Sequence, residues 1–170
     1  MIDDSTSEQP PPRIEWDLWF QWMLATTVGW AIAWAFIGEV AVGALVGLGQ
    51  WFVLRSRIPQ AGWWIWASTV GWAVGWAMIV AGVLAPPNGG VAAMLVTGVV
   101  LGAMTGLAQW FILRQAVHQA GWWIVASTIG WTIGLTGIFG STVTGAVVGA
   151  VTGFALDILL RYPYRENDGA

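Results

Sequence analysis

Long apolar runs separated by short polar connections dominate the chain. No Asp, Glu, Lys or Arg occurs from Ile58 to Leu113 or from Gln115 to Leu156, so each stretch has room for two helices of about 20 residues. These runs do not alternate with polar residues, so they predict helices and not the strands of a membrane barrel. With two earlier runs, the pattern predicts six membrane-spanning helices. They are Trp16–Ile37, Val40–Leu54, Gly62–Leu84, Val91–Leu113, Gly121–Phe139 and Thr142–Leu160.

Composition and charge give the expected environment and orientation. Of 170 residues, 57% are hydrophobic and only 9% are charged, against roughly 25% charged in soluble domains. All the basic residues fall on one side of the predicted spans, and the opposite turns carry one acid and no base. By the positive-inside rule, both termini face the cytoplasm, and the chain is expected to be a multi-pass protein of the bacterial cytoplasmic membrane. The basic residues are Arg13, Arg55, Arg57, Arg114, Arg161 and Arg165.

The chain divides into a membrane domain and two tails. Residues 1–15 are acidic and contain three consecutive prolines, so we expect a disordered tail and not a cleaved signal peptide. Residues 16–161 form the six-helix transmembrane domain, and residues 162–170 form a C-terminal tail.

Self-comparison predicts three copies of one helical hairpin. The segment from Gly62 to Trp72 recurs from Gly121 to Trp131 and, more faintly, from Gln21 to Trp30. The repeats span residues 16–61, 62–120 and 121–161, a period typical of repeat architectures. Each hairpin enters and leaves on the same side, so we expect an all-α membrane fold of three parallel αα-hairpins around a pseudo-threefold axis.

The repeated blocks resemble a class of known sequences. Gln-Trp-x-x-Leu-Arg ends the runs at Arg55 and Arg114, and Gly-Trp-Trp followed by Ser-Thr-x-Gly-Trp occurs after each of them. These blocks resemble those of small multi-pass bacterial membrane proteins of unknown function. The resemblance covers most of residues 21–161, departs in the sixth helix, and implies no activity.

Glycine and tryptophan are the most abundant candidates for a structural role. Glycines spaced four residues apart let helix backbones approach closely. The predicted packing positions are Gly43, Gly47, Gly71, Gly75, Gly102, Gly106, Gly130, Gly134, Gly149 and Gly153. Of the 15 tryptophans, we expect Trp16, Trp19, Trp51, Trp63, Trp64, Trp110, Trp122 and Trp123 to form an interfacial belt. The deeper ones, Trp30, Trp34, Trp72, Trp76 and Trp131, either fill grooves beside the glycines or line a flat apolar cleft.

A few polar residues within the spans are candidate binding positions. Gln50 and Gln109 share the glycine face of their helices, so we expect them at equivalent places around the axis, with Leu156 as the third. They act as structural polar contacts or line a pocket, together with the adjacent Trp51 and Trp110. Asp157 is ionisable, but Arg161 lies four residues later and is expected to pair with it. Arg55, Arg57, Arg114 and Arg161 are expected to anchor helix ends at the interface.

The sequence therefore predicts packing chemistry without reactive chemistry. The chain has no cysteine and one histidine, which leaves no metal site, and no catalytic residue set is apparent. We expect a non-catalytic structural or accessory subunit that packs with itself, a larger membrane complex or specific lipids, and no nucleic-acid partner. The alternatives are a small transporter or channel for a neutral or amphipathic solute, or a subunit binding a carotenoid or other pigment, a quinone or a polycyclic lipid.

Overall fold

The computed structural model describes residues 15–83, 89–138 and 140–162. Within them the chain is helical, with six α-helices. They are α1 (Trp16–Ile32), α2 (Val42–Leu54), α3 (Trp63–Val80), α4 (Gly90–Leu113), α5 (Gly121–Leu135) and α6 (Thr144–Leu160). The six predicted helices are thus present, although several ends differ from the prediction.

Four helical segments are long and apolar enough to cross a membrane: Trp16–Ile37, Trp63–Val80, Gly90–Leu113 and Ser141–Leu160. The segment Glu39–Leu54 is also apolar but shorter. Helix α5 has 15 residues, or about 22 Å at 1.5 Å per residue. The second span has close to its predicted length, but the predictions that the third and fifth spans end at Leu84 and Phe139 were wrong, because α3 and α5 end about one turn earlier.

The ends of α1, α2 and α6 contain irregular turns. A π-helical turn, Ala33–Ile37, follows α1, and 3₁₀ turns at Glu39–Ala41 and Ser141–Val143 precede α2 and α6. Gly38 and Gly140 stand immediately before these 3₁₀ turns with φ of 104° and 80°. Since an L side chain rarely adopts such angles, glycine permits the chain to reverse there.

The helices form a closed ring. Each helix packs against its neighbours in the chain, and α1 also packs against α6. We call the end of the ring at Arg55, Arg114 and Arg161, where α2, α4 and α6 finish, the arginine end.

The ring carries polar groups inside and apolar groups outside. Gln50, Ser68, Gln109, Ser127 and Asp157 are buried, while large apolar side chains are exposed along all six helices. Soluble proteins rarely expose so large an apolar surface. This distribution suits a chain whose surroundings are themselves apolar.

Several sequence predictions fall outside the described residues. These are the disorder of the N-terminal tail, apart from Glu15, and the C-terminal tail beyond Tyr162. The turn at residues 86–88 and the places of Arg13 and Arg165 also lie outside them.

Candidate functional site

Two layers of indole rings cross the centre of the ring. Trp22, Trp64 and Trp123 form the first layer, with ring centroids 5.5 to 5.9 Å apart in edge-to-face pairs. The second layer consists of Trp30, Trp72 and Trp131, in which Trp131 lies 5.7 Å from Trp30 and 4.8 Å from Trp72. Each layer takes one residue from α1, α3 and α5.

The belt assignment was wrong for Trp64 and Trp123. Their side chains are 0% and 1% exposed, whereas the preceding Trp63 and Trp122 are 62% and 64% exposed. Adjacent helical residues point about 100° apart, so a Trp-Trp pair places one ring inside the ring of helices and the other outside. Position along the chain indicates how deep a residue lies in the membrane but not which way its side chain points. The sequence therefore offered no basis for separating the buried Trp64 and Trp123 from the exposed Trp63 and Trp122.

The two glutamines lie between the indole layers and bond to each other. Gln109 Nε2 donates to Gln50 Oε1 at 3.3 Å and to Ser68 Oγ at 2.8 Å. Trp64 Nε1 donates to Gln50 Oε1 and Trp123 Nε1 to Gln109 Oε1, both at 2.9 Å. Gln50 Nε2 donates to Thr26 Oγ1 at 3.1 Å. The structure thus brings together the amides that the sequence singled out and assigns acceptors to two buried indoles.

The third place in this pattern belongs to Thr152 and not to Leu156. Trp22 Nε1 donates to Thr152 Oγ1 at 2.9 Å, the same role that the glutamines fill for the other two indoles. Leu156 is fully buried, one turn further toward the arginine end. The sequence comparison aligned α6 by its glycines, and because these recur every four residues, it slipped by one helical turn.

Very little space remains between the indole layers. The cavity there has a volume of about 10 Å³ and is lined by Gln50, Ser68, Gln109, Ser127 and Thr152, among others. Such a volume accommodates about one water molecule. On the arginine side, the fully buried Leu54, Leu113 and Leu156 continue the core.

Thr105 is the one residue of this centre whose polar group is unmatched within the described residues. Its Oγ1 is buried without a hydrogen-bond partner there. We expect Thr105→Val to leave the free energy of unfolding unchanged or to raise it by about 1 kcal/mol, since a buried hydroxyl without a partner is costly. Unfolding in detergent micelles measures this. A loss above about 1 kcal/mol would mean that the hydroxyl has a stabilising contact.

The predicted packing glycines lie where helix backbones meet. A Cβ on Gly43 would lie 2.7 Å from Ser68 O in α3, and one on Gly102 would lie 2.8 Å from Ser127 O in α5. Comparable backbone approaches occur at Gly71 and Gly149. At the other close positions, a Cβ would first meet a side-chain atom of the neighbouring helix, at 2.7 to 3.0 Å; these are Gly47, Gly75, Gly106, Gly134 and Gly153. Gly130 differs, since its nearest neighbours would be at 3.5 Å, an ordinary contact distance.

The hydroxyl hydrogen bonds of α3 and α5 divide between two modes. Ser68, Thr69 and Thr128 donate to carbonyls four residues earlier in their own helices. Ser127 Oγ instead donates across the helix pair to Gly102 O at 2.9 Å. Only the second mode joins two helices, and it does so at a glycine contact.

Asp157 joins the last helix to the first. Its carboxylate forms the expected ion pair with Arg161 and also accepts a hydrogen bond from the backbone N–H of Glu15, at 3.0 Å. The sequence did not reveal the second contact. At the start of α3, a free backbone N–H is satisfied by the preceding loop, since Trp63 N donates to Gln60 O. At the start of α1, the corresponding acceptor for Glu15 N comes from another helix, and it is the Asp157 carboxylate of α6.

Removing that carboxylate is expected to weaken the α1–α6 contact. Asp157→Ala should lower the free energy of unfolding by about 2 kcal/mol, because the buried carboxylate loses its part-buried hydrogen bond from Glu15 N and its ion pair with Arg161 together. Asp17→Ala, at an exposed position in the first turn of α1, is the control and should cost less than about 1 kcal/mol. Equal losses in denaturation experiments would refute the stabilising role of the Asp157 carboxylate.

Trp51 and Trp110 lie away from the glutamine centre. Both are partly buried and pack against the core at the arginine end. The guanidinium carbon of Arg55 lies 5.9 Å from the Trp51 ring, and that of Arg114 lies 4.9 Å from the Trp110 ring. They support the arginines and do not line a pocket with Gln50 and Gln109.

A second cavity opens at the end opposite the arginines. Its volume is about 340 Å³, and Trp30, Trp34, Trp72 and Trp76 line it together with Glu39. Trp30 and Trp34 are stacked, with centroids 5.8 Å apart. The Nε1 of Trp76 is buried without an acceptor among the described residues. The deeper tryptophans therefore fill space at the centre of the ring and also line a cleft at the end opposite the arginines.

No protein-family model matches the chain, and neither a curated protein nor a solved structure is significantly similar to it. In the part of the chain that the structure describes, no group of three His, Cys, Asp or Glu side chains is arranged to hold a metal ion.

Proposed function

We propose that the chain is a non-catalytic integral membrane protein, a structural or accessory subunit that packs with itself, with a larger complex or with specific lipids. The observation that carries the proposal is the filled axis, where two indole layers enclose only about 10 Å³. A transporter needs a site that opens in turn to both sides. The filled axis therefore weighs against a transport function.

The arrangement that we propose is a pseudo-threefold ring with all six helices crossing the bilayer. Three sets of repeated contacts support it: the first indole layer, the hydrogen bonds of Trp22, Trp64 and Trp123, and the glycine contacts from Gly43, Gly102 and Gly145 to the next helix. A Cβ on Gly145 would contact Trp30 and Thr26 of α1, just as a Cβ on Gly43 would contact Trp72 and Ser68 of α3. By the positive-inside rule, the arginine end faces the cytoplasm of a bacterium.

The outer surface supports a packing role. Exposed apolar side chains cover it, and the groove between α1 and α2 has a volume of about 830 Å³. Native mass spectrometry after mild extraction from the native membrane tests the proposal. We expect a second polypeptide, further copies of the chain or a defined lipid. A bare monomer that retains none of these would contradict the proposal.

Binding of a small apolar ligand is a second candidate function, supported by the cavity at Trp76. A volume of about 340 Å³, with one buried indole N–H that has no acceptor among the described residues, suits a quinone, a carotenoid or a polycyclic lipid with a carbonyl or hydroxyl acceptor. Protein purified from its own membrane should then release such a ligand into organic solvent. Trp76→Phe should reduce the amount, whereas Trp66→Phe, on an outward face, should not. A preparation without any extractable ligand would contradict this function.

A further inference from the structure

Two grooves on the outer surface have closely matched walls. One lies between α1 and α2 and is lined by Val28, Leu48 and Phe52. The other lies between α3 and α4 and is lined by Val70, Leu107 and Phe111. Their volumes are about 830 and 570 Å³. Both are predominantly apolar, as a site for an acyl chain requires.

The grooves differ in charge at the arginine end. Arg55 and Arg57 line the α1–α2 groove, whereas Gln60 and Gln115 line the α3–α4 groove, which has no charged lining residue. Among the described residues, neither Arg55 nor Arg57 forms a salt bridge. In the described part of the chain, two exposed guanidinium groups at the end of an apolar groove therefore have no carboxylate partner.

Neighbouring groups hold these arginines in place. The guanidinium carbon of Arg55 lies 4.0 Å from the centroid of the Phe52 ring, and Arg57 Nη1 donates to Val53 O at 2.9 Å. Stacking uses the face of the Arg55 guanidinium and none of its N–H donors. A fork of donors beside an apolar groove matches a phosphate group attached to an acyl chain.

We infer that the α1–α2 groove binds one anionic phospholipid, with an acyl chain against Val28 and Leu48 and the phosphate at Arg55 and Arg57. The inference rests on the membrane location in the proposed function but not on the filled axis. Charge complementarity selects this occupant over an uncharged lipid, because two guanidinium groups near a headgroup each strengthen anion binding. The acidic segment before α1, with Asp3, Asp4 and Glu8, is the rival occupant. Its negative charge complements the two arginines, but its polar residues do not complement the apolar walls of the groove.

Lipid titration of the purified full-length chain in detergent tests the inference, with bound lipid counted by native mass spectrometry. Phosphatidylglycerol should bind at a single high-affinity site at least about tenfold more tightly than phosphatidylcholine. The double variant Arg55→Gln/Arg57→Gln should lose that preference, whereas Arg114→Gln should keep it. Equal binding of the two lipids to the unmodified chain, or an unchanged preference in the double variant, would overturn the inference.

A matched pair of variants tests the groove itself. Leu48→Trp should fill the α1–α2 groove and weaken phosphatidylglycerol binding about tenfold, while Leu107→Trp, at the corresponding place in the other groove, should not. Equal effects would overturn the inference. Removing the acidic segment should leave the affinity unchanged. A tenfold rise in phosphatidylglycerol affinity would overturn the inference, because it would mean that the acidic segment occupies the arginines in the intact chain.

Discussion

Replacing Gly102 with alanine is expected to lower the free energy of unfolding by about 3 kcal/mol and to separate α4 from α5. The new Cβ would lie 2.7 Å from Thr128 Cα and 2.8 Å from Ser127 O. Both atoms belong to the backbone of α5, so no side-chain rotation relieves the clash, and overpacking of this kind is costly. The shift would also lengthen the bond from Ser127 Oγ to Gly102 O, now 2.9 Å.

The same substitution at Gly121 provides the control. A Cβ there meets nothing within 4 Å, so Gly121→Ala should leave the stability unchanged or raise it slightly through the lower entropy of the unfolded chain. Reversible unfolding in mixed micelles measures both variants. If Gly102→Ala were as stable as Gly121→Ala, the close contact between α4 and α5 would be wrong.

Gln109→Leu is expected to cost about as much, for a different reason. The variant loses the bonds from Gln109 to Gln50 and Ser68, each of modest strength within a membrane. It also leaves the buried Trp123 Nε1 without its acceptor, which costs more than the loss of a bond whose groups can reach water. Together these losses amount to about 3 kcal/mol.

An exposed glutamine at the arginine end serves as the control for this variant. Gln115 is exposed and donates to Phe111 O in its own helix, so Gln115→Leu should change the stability by less than about 0.5 kcal/mol. A stability for Gln109→Leu within that same range would show that the amide contacts between the indole layers contribute nothing to folding.

The sequence predicted the helices better than their ends. Uninterrupted apolar runs specify that a helix exists, but α3 and α5 end about one turn before the predicted ends of their spans. Gly82 and Gly137 adopt positive φ just after these helices, and hydropathy does not encode such angles. The glycine contacts were predictable as well, because a four-residue spacing places small residues on one face. Helix packing decides which atoms each glycine contacts. At Gly130 a Cβ would have no neighbour closer than 3.5 Å.

The sequence identified only the two amides of the polar centre. Gln50 and Gln109 were singled out because amides are rare in apolar helices, and the structure places them in contact. Thr152 was missed because a threonine in such a helix can satisfy itself with its own backbone, as its bond to Val148 O does. The bond from Glu15 N to Asp157 spans 142 positions and has no local signal in the chain.

Flux through liposomes that contain the purified protein tests the filled axis most directly. The indole layers and the cavity of about 10 Å³ between them predict that potassium ions, protons and glycerol cross no faster than in protein-free liposomes. Faster flux that disappears in folded Gln50→Leu and Gln109→Leu variants would contradict the account, because it would place a solute path through the centre of the ring.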